Sequence, residues 1–280
     1  MQQIGKTKRL NRIFSNPSKR IVITPLDDSL LAGPIGGLEN LKTKTKMIAS
    51  AKPDAIIGFQ GLIKNFSQEI ANIPTILNLT ASTTRNLHTR KTLVGSVELA
   101  IQLGVEAVAV HVNISSKYET EMLKMLGDVS YTCNLYGIPL MGIMYPRTET
   151  NEGKDDNYYQ LKESDNTKYA ELVAHAVRVG VELGVDFIKT QYTGSAESFS
   201  KVVQAASPIP VVIAGGVPME LIPLLKITED SIKAGGAGIS FGRNIFSRNN
   251  PIEFIESIKK IVHDGKSANE MIEEYLLVKP

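Results

Sequence analysis

Val185-Asp-Phe-Ile-Lys189-Thr-Gln-Tyr-Thr-Gly194 joins a short apolar run to a glycine, and Ser195-Ala-Glu197 then reads as a turn into a new helix. A strand followed at once by a helix is the unit of a parallel sheet. Val185, Phe187 and Ile188 make the strand, so Lys189 falls near its C-terminal end. Burial disfavours the ammonium and favours the neutral amine, the form that attacks a carbonyl carbon to make a Schiff base. The competing account is that Lys189 pairs with an acid or reaches solvent. This run alone does not separate the two.

Working outward, similar β-branched runs recur at Ile21–Thr24, Ala55–Phe59, Thr75–Leu79, Ala107–Val112, Leu140–Tyr145, Asp186–Tyr192, Val211–Gly215 and Gly238–Gly242. Continuous apolar strands with helices between them mean a parallel sheet covered on both faces. Eight such units in 280 residues have the size of a closed (β/α)8 TIM barrel in the α/β class. Helices are expected over Val94–Leu103, ending at Gly104, and over Tyr169–Leu183, ending at Gly184. Another starts at Pro251, and a last one beyond Lys266 packs on the outside. An open doubly wound sheet predicts a G-x-G-x-x-G first turn, whereas Ile21–Thr24 is followed by Pro25-Leu-Asp-Asp-Ser29. The polar stretch 147–168 breaks the rhythm and is expected as a long loop, a partial lid over the barrel mouth. No domain boundary interrupts residues 1–280, with 1–20 read as a solvated N-terminal cap.

The chain is 42% hydrophobic with a formal charge of +2. That excludes a disordered chain. No apolar run approaches the ~20 residues that cross a bilayer, and the basic N-terminus lacks an apolar h-region, so a cytoplasmic protein that binds no membrane is expected. Basic residues cluster only at Lys6–Arg20, without interleaved aromatics beyond Phe14, which argues against nucleic acid. Cys133 has no partner for a disulfide or zinc and is expected as a buried thiol. Four dispersed histidines offer no metal site, which disfavours zinc-assisted aldol chemistry. His88, His175 and His263 read as loop or helix-surface residues.

In a barrel the active site lies where strands end. Strand one ends at Asp27-Asp28, strand four at His111 and Asn113, and strand five at Tyr145-Pro-Arg147. Strand six carries Lys189, strand seven ends at Gly215-Gly216, and strand eight at Gly242-Arg243. A lysine, a carboxylate and a phenol facing one cavity suit Schiff-base chemistry, in which each step moves a proton. Glycines after strands seven and eight let backbone N–H groups approach a phosphate, with Arg243 as a charged partner. Each residue has a plainer account: the glycines as a tight turn, the aspartates as helix caps, His111 as a hydrogen-bonded interior residue, Tyr145 as rim packing. Their coincidence at strand ends favours the functional one.

These motifs, with Ile213-Ala-Gly-Gly216, Ser240-Phe-Gly-Arg243-Asn-Ile-Phe246, Met144-Tyr-Pro-Arg147 and His111-Val-Asn113, resemble the DhnA-type (archaeal-type) class I aldolases from Ile21 to Phe246. The resemblance implies a homo-oligomeric TIM barrel acting without a cofactor, through a covalent Schiff base on Lys189. It gives Asp27 and Tyr145 the proton transfers, and rests the substrate phosphate on Gly215, Gly216, Gly242 and Arg243, with Asp28, His111 and Arg147 in the binding site. The family's activities include cleavage of fructose 1,6-bisphosphate, taken as the first expectation. A second is the synthase that makes 2-amino-3,7-dideoxy-D-threo-hept-6-ulosonate with aspartate semialdehyde, and a third reading is a barrel that binds a phosphorylated metabolite without catalysis. Where the family carries Asp-His-Gly, this chain has Asp27-Asp28-Ser29. If both carboxylates face the cavity, one is expected to hold its proton more tightly.

Overall fold

The computed structural model describes residues 4–278, with the side chains of 275–278 left undescribed. Eight parallel strands close into a barrel: β1 (Ile21–Pro25), β2 (Ala55–Gly58), β3 (Thr75–Asn78), β4 (Ala107–Ile114), β5 (Leu140–Pro146), β6 (Phe187–Thr190), β7 (Val211–Ala214) and β8 (Gly238–Ser240). Each pairs with its sequence neighbours, and β8 closes on β1 through Ile21↔Gly238 and Ile23↔Ser240. All eight runs read from the sequence are strands, because β-branched side chains fit a pleat buried on both faces.

Alternation along the strands divides the core. Ile21, Ile23, Ile57, Ile76, Ala109, Ile143, Phe187 and Val212 fill the barrel interior. Val22, Ile56, Leu77, Val110, Met144, Ile188 and Ile213 face outward under the helices. Two residues beyond the interior set, the inward positions become Asn78, His111, Tyr145 and Lys189. The same period that packs the lower barrel therefore aims polar groups into its upper end. Gly238 is required where β8 meets β1: its φ is +138°, and a Cβ there would lie 1.9 Å from the Ile21 carbonyl oxygen.

The N-terminal helix Ile4–Ile13 differs from the solvated cap expected for it. Ile13 is fully buried, and Phe14 meets Phe187 edge-on with centroids 5.7 Å apart, so the segment stoppers the barrel floor. Burying such a side chain is worth about 1.5–3 kcal/mol. Its basic residues hold it there: Lys6 pairs with Asp186 at 3.0 Å, and Arg12 with Glu106 at 3.3 Å.

Those acids belong to a repeated device. Asp54, Glu106 and Asp186 each precede an even-numbered strand and accept the backbone N–H of Val22, Thr75 and Leu140, at 2.6, 2.9 and 2.8 Å. The cation at Asp54 is His263, at 2.8 Å, with its side chain only 4% exposed. His263, expected as a loop or helix-surface residue, does lie on a helix, but its side chain is turned inward onto Asp54. His175 is exposed, and Cys133 is buried, which pushes its thiol up to about 12.

The helix expected at Val94–Leu103 begins at Val97, because Ser96 caps it and Thr92–Leu93 is drawn into a two-stranded ribbon with Thr80–Ala81. The helix expected from Tyr169 begins at Asn166, capped by Asp165. Helices Pro251–Asp264 and Ala268–Val278 follow the sequence reading. Residues 147–168 do lie at the mouth, yet they are not structureless. They contain the ribbon Thr148–Glu149/Asp155–Asp156 and the helix Tyr159–Ser164. No helix among the described residues is long and apolar enough to cross a membrane.

Candidate active site

The polar strand ends enclose a cavity of about 300 Å³. Asp27, Asp28, His111, Tyr145, Arg147, Lys189, Gly215, Gly216, Gly242 and Arg243 all line it. The structure thus brings together every site residue chosen from the sequence, as the inward register of β4, β5 and β6 requires: Lys189 lies level with Ile143, and Tyr145 with Asn113.

Lys189 has no carboxylate within 4.0 Å and no hydrogen-bond partner among the described residues, so the ion-pair account of it fails. Burial lowers its pKa from 10.5; Asp27 and Asp28 act against that shift without cancelling it. A lysine held this way reaches its neutral, nucleophilic form more readily than a free one.

Asp27 occupies the cap position of the helix Asp28–Ala32, but its side chain makes no capping bond. Its Oδ2 instead accepts from Asn78 Nδ2 at 2.7 Å, and both residues are buried. Asp28 faces the same cavity and pairs with Arg243 Nε at 3.5 Å. Burial first, and the Asp27 charge second, raise the Asp28 pKa. The replacement of the family's histidine therefore leaves a carboxylate against the arginine of the expected phosphate side.

Tyr145 is buried, and its ring stands edge-on to His111 with centroids 4.9 Å apart. Burial raises its pKa, so the phenol stays protonated. Its hydroxyl has no hydrogen-bond partner among the described residues. His111 bonds Asn113 Oδ1 at 3.0 Å, and Asn113 donates to the Thr89 carbonyl at 2.7 Å. Burial and then Lys91 hold His111 well below its ordinary pKa, hence neutral. Arg147 donates to Asn157 at 2.7 Å and lies 3.9 Å from Asp155.

Gly216, with φ +66°, makes the turn after β7. At Gly215 a Cβ would meet Asn244 Nδ2 at 2.9 Å, so the absence of a side chain lets Asn244 tie the turn to the residues after β8. The helix that follows β8 is only Arg243–Phe246.

Several contributors were not found in the sequence. Asn78 ends β3, inside the run Thr75–Leu79 that was read only as a strand. His88 and Lys91 come from the segment between β3 and β4, and Tyr159 and Lys162 from the one after β5. His88, expected as a loop or helix-surface residue, does lie in a loop, yet it lines the cavity and bonds Ser82 and Lys91; burial and then Lys91 lower its pKa to about 3. Lys162 reaches the Tyr192 carbonyl at 2.8 Å, anchoring the helix Tyr159–Ser164 over the mouth. Among the described residues, no group of three or more His, Cys, Asp or Glu is placed to hold a metal.

Known proteins are similar to this chain in sequence and fold. The chain is 37% identical over 273 residues to 2-amino-3,7-dideoxy-D-threo-hept-6-ulosonate synthase 1 of Archaeoglobus fulgidus, covering 96% of this chain and 95% of that one. The crystal structure of an archaeal fructose 1,6-bisphosphate aldolase superposes with a TM-score of 0.81 at 26% identity, over 93% of this chain and 100% of that one. A second archaeal fructose-1,6-bisphosphate aldolase, whose catalytic Lys is covalently bound to the carbinolamine intermediate of the substrate, matches with a TM-score of 0.79 at 26% identity, over 92% and 99%. Residues 21–248, from the first barrel strand to just past the last, match the DeoC/LacD family aldolase model, and the chain belongs to that family.

Proposed function

We propose that this enzyme is a class I aldolase in which Lys189 forms a Schiff base with a phosphorylated ketose, making or breaking a carbon–carbon bond. The observation that carries the assignment of Lys189 is its isolation: a half-buried amine without an acid within 4.0 Å among the described residues, in a cavity that also holds a carboxylate and a protonated phenol. In this reading Lys189 Nζ attacks the ketone carbon. Asp27 takes the proton lost by the nitrogen and returns it to the departing hydroxyl, which leaves as water. The iminium then draws in the electrons of the breaking carbon–carbon bond. Tyr145 gives its proton to the alkoxide in the condensation direction and takes it back in cleavage; the enamine then left on Lys189 is reprotonated at carbon to an iminium, and water releases the product.

Gly215, Gly216, Gly242 and Arg243 receive the phosphate, with backbone N–H groups as donors. Asp28 shares Arg243 with that phosphate, and His111 and Arg147 bind further along the substrate. The chain works as one catalytic unit, with residues 4–20 closing the barrel floor and 147–168 covering its mouth. Fructose 1,6-bisphosphate is the first substrate to assay. A synthase using aspartate semialdehyde is the second reading. It is supported by the higher identity to the Archaeoglobus protein and by Asp28, whose carboxylate suits a substrate carrying an ammonium group. The reading includes a homo-oligomer in the cytoplasm. Tyr131 and Leu135, exposed one helical turn apart, support a second copy, and light scattering of the purified chain tests it.

The decisive experiment is borohydride reduction in the presence of dihydroxyacetone phosphate, followed by peptide mass mapping. An adduct on Lys189 is expected. Its absence, under conditions where the chain is folded, sinks the Schiff-base assignment and leaves the non-catalytic binding barrel.

A further inference from the structure

Lys91 is buried, with 5% of its surface exposed, and it lines the cavity. An ammonium has three N–H donors. Here Ser82 Oγ accepts one at 2.7 Å, and the His88 ring lies at 3.2 Å through Nδ1. No carboxylate lies within 4.0 Å among the described residues. Both partners are neutral, since His88 is held far below its ordinary pKa. One N–H is left for the cavity, and the charge has no anion in contact.

Arg147 is only loosely compensated. Its Nη1 is buried without a hydrogen-bond acceptor, and the nearest acid, Asp155, stands 3.9 Å away. Arg147 also disfavours the charge on Lys91, second only to burial, and together they bring its pKa to about 7. Two mutually repelling cations in one buried space are unfavourable unless an anion lies between them, and a bound anion draws the proton back onto the amine. The pair comes from the segment after β3 and from the end of β5. Of the strands that the glycine turns follow, β7 stands opposite β3 in the closed ring, and β6, with Lys189, lies between β5 and β7. An extended reactant with its phosphate on those glycines and its carbonyl at Lys189 points its other end toward Lys91.

We propose that Lys91, with Arg147 beside it, receives the anionic terminus of the aldehyde reactant, a carboxylate or a phosphate, and so determines which aldehydes the enzyme accepts. The assignment rests on the Schiff-base reading of Lys189. Ser82 and His88 orient the amine and leave its third N–H for the ligand. The segment 79–96, which carries all three, is then the part of the barrel that specifies the acceptor.

The test uses the full chain with dihydroxyacetone phosphate as donor and three aldehydes: glyceraldehyde 3-phosphate, aspartate semialdehyde and uncharged glyceraldehyde. The wild-type enzyme is expected to have a higher kcat/KM for at least one anionic aldehyde than for the neutral one. That ratio should fall at least tenfold in Lys91→Met, through KM, and recover in part in Lys91→Arg. The aldehyde with the larger fall identifies the group bound. Melting curves confirm that the variants fold, and Lys91→Gln is the alternative if Lys91→Met does not. Equal losses for charged and neutral aldehydes overturn the assignment, as does a wild-type enzyme without preference. The borohydride adduct on wild-type Lys189 is scored separately. If it forms while the preference is absent, only the Lys91 assignment falls; if it does not form, the Schiff-base reading falls first.

Discussion

Replacing Tyr145 by phenylalanine removes one hydroxyl and little else. The ring keeps its edge-on contact with His111 at 4.9 Å, and the lost oxygen has no hydrogen-bond partner among the described residues. No buried partner is orphaned, so stability should change by less than about 0.5 kcal/mol. The chemistry should suffer far more. Burial holds the phenol protonated, which makes it a donor toward the alkoxide formed with the new bond. Positioned proton transfer contributes about 10²–10⁴-fold. That corresponds to about 3–5 kcal/mol of barrier. In the proposed mechanism imine formation on Lys189 relies on Asp27 instead, so borohydride should still trap dihydroxyacetone phosphate on the variant. The assay pairs mass mapping of that adduct with steady-state turnover. Turnover within a few-fold of wild type would remove Tyr145 from the mechanism. Loss of the adduct with unaltered melting would move its role to the imine step.

Asn78→Ala withdraws the 2.7 Å donor from the Asp27 carboxylate. A hydrogen bond to a charged group is worth about 1.5–3 kcal/mol, so a drop in turnover of about 10- to 100-fold is expected, and unchanged kinetics would show that Asp27 is positioned by other means. The rate of adduct formation should rise with pH and level off at a midpoint below 10.5. Only the neutral amine attacks, and burial lowers the Lys189 pKa despite Asp27 and Asp28. A midpoint at or above 10.5 contradicts that environment. Lys91 is about 7 when folded and 10.5 when unfolded, so between these values the unfolded chain binds more protons. Stability therefore gains a contribution as pH rises from about 7 to 10.5. The difference in melting temperature between wild type and Lys91→Met should change in that sense across the window, and a constant difference would argue that the folded Lys91 titrates normally. Gly238→Ala should prevent folding, since its Cβ would lie 1.9 Å from the Ile21 carbonyl; a soluble variant that melts like wild type would refute the register of β8 on β1.

The barrel was legible because its strands are buried on both faces, which writes them as unbroken apolar runs that neither helices nor loops imitate here. Lys189 and Tyr145 stood out for the same reason, as exceptions within those runs. Asn78 did not, because it was absorbed into the run Thr75–Leu79, where its position at the strand end and its inward direction were not marked by any neighbouring residue. Lys91 was hidden among Arg85, His88 and Arg90 in a polar stretch. It becomes interior only because the ribbon Thr80–Ala81/Thr92–Leu93 tucks that stretch into the mouth, a long-range pairing with no local signature. The basic N-terminal segment was misjudged on charge alone. Leu10, Ile13 and Phe14 recur at helical spacing, and that was the readable sign that one face is buried. The acids that anchor its basic residues are distant in sequence, so their pairing was not readable.

The stopper formed by Ile13 and Phe14 beneath Phe187 also bears on timing. On the Schiff-base reading an iminium on Lys189 is released only by water, and the barrel is corked beneath that lysine. Ile13 and Phe187 have no exposed surface, so the hydrolytic water must arrive by the route the reactants take. An aldehyde in the mouth therefore screens the intermediate from solvent until it reacts or departs. The small greasy contact at the foot of the barrel thus favours bond formation over premature hydrolysis, some distance from any atom that reacts.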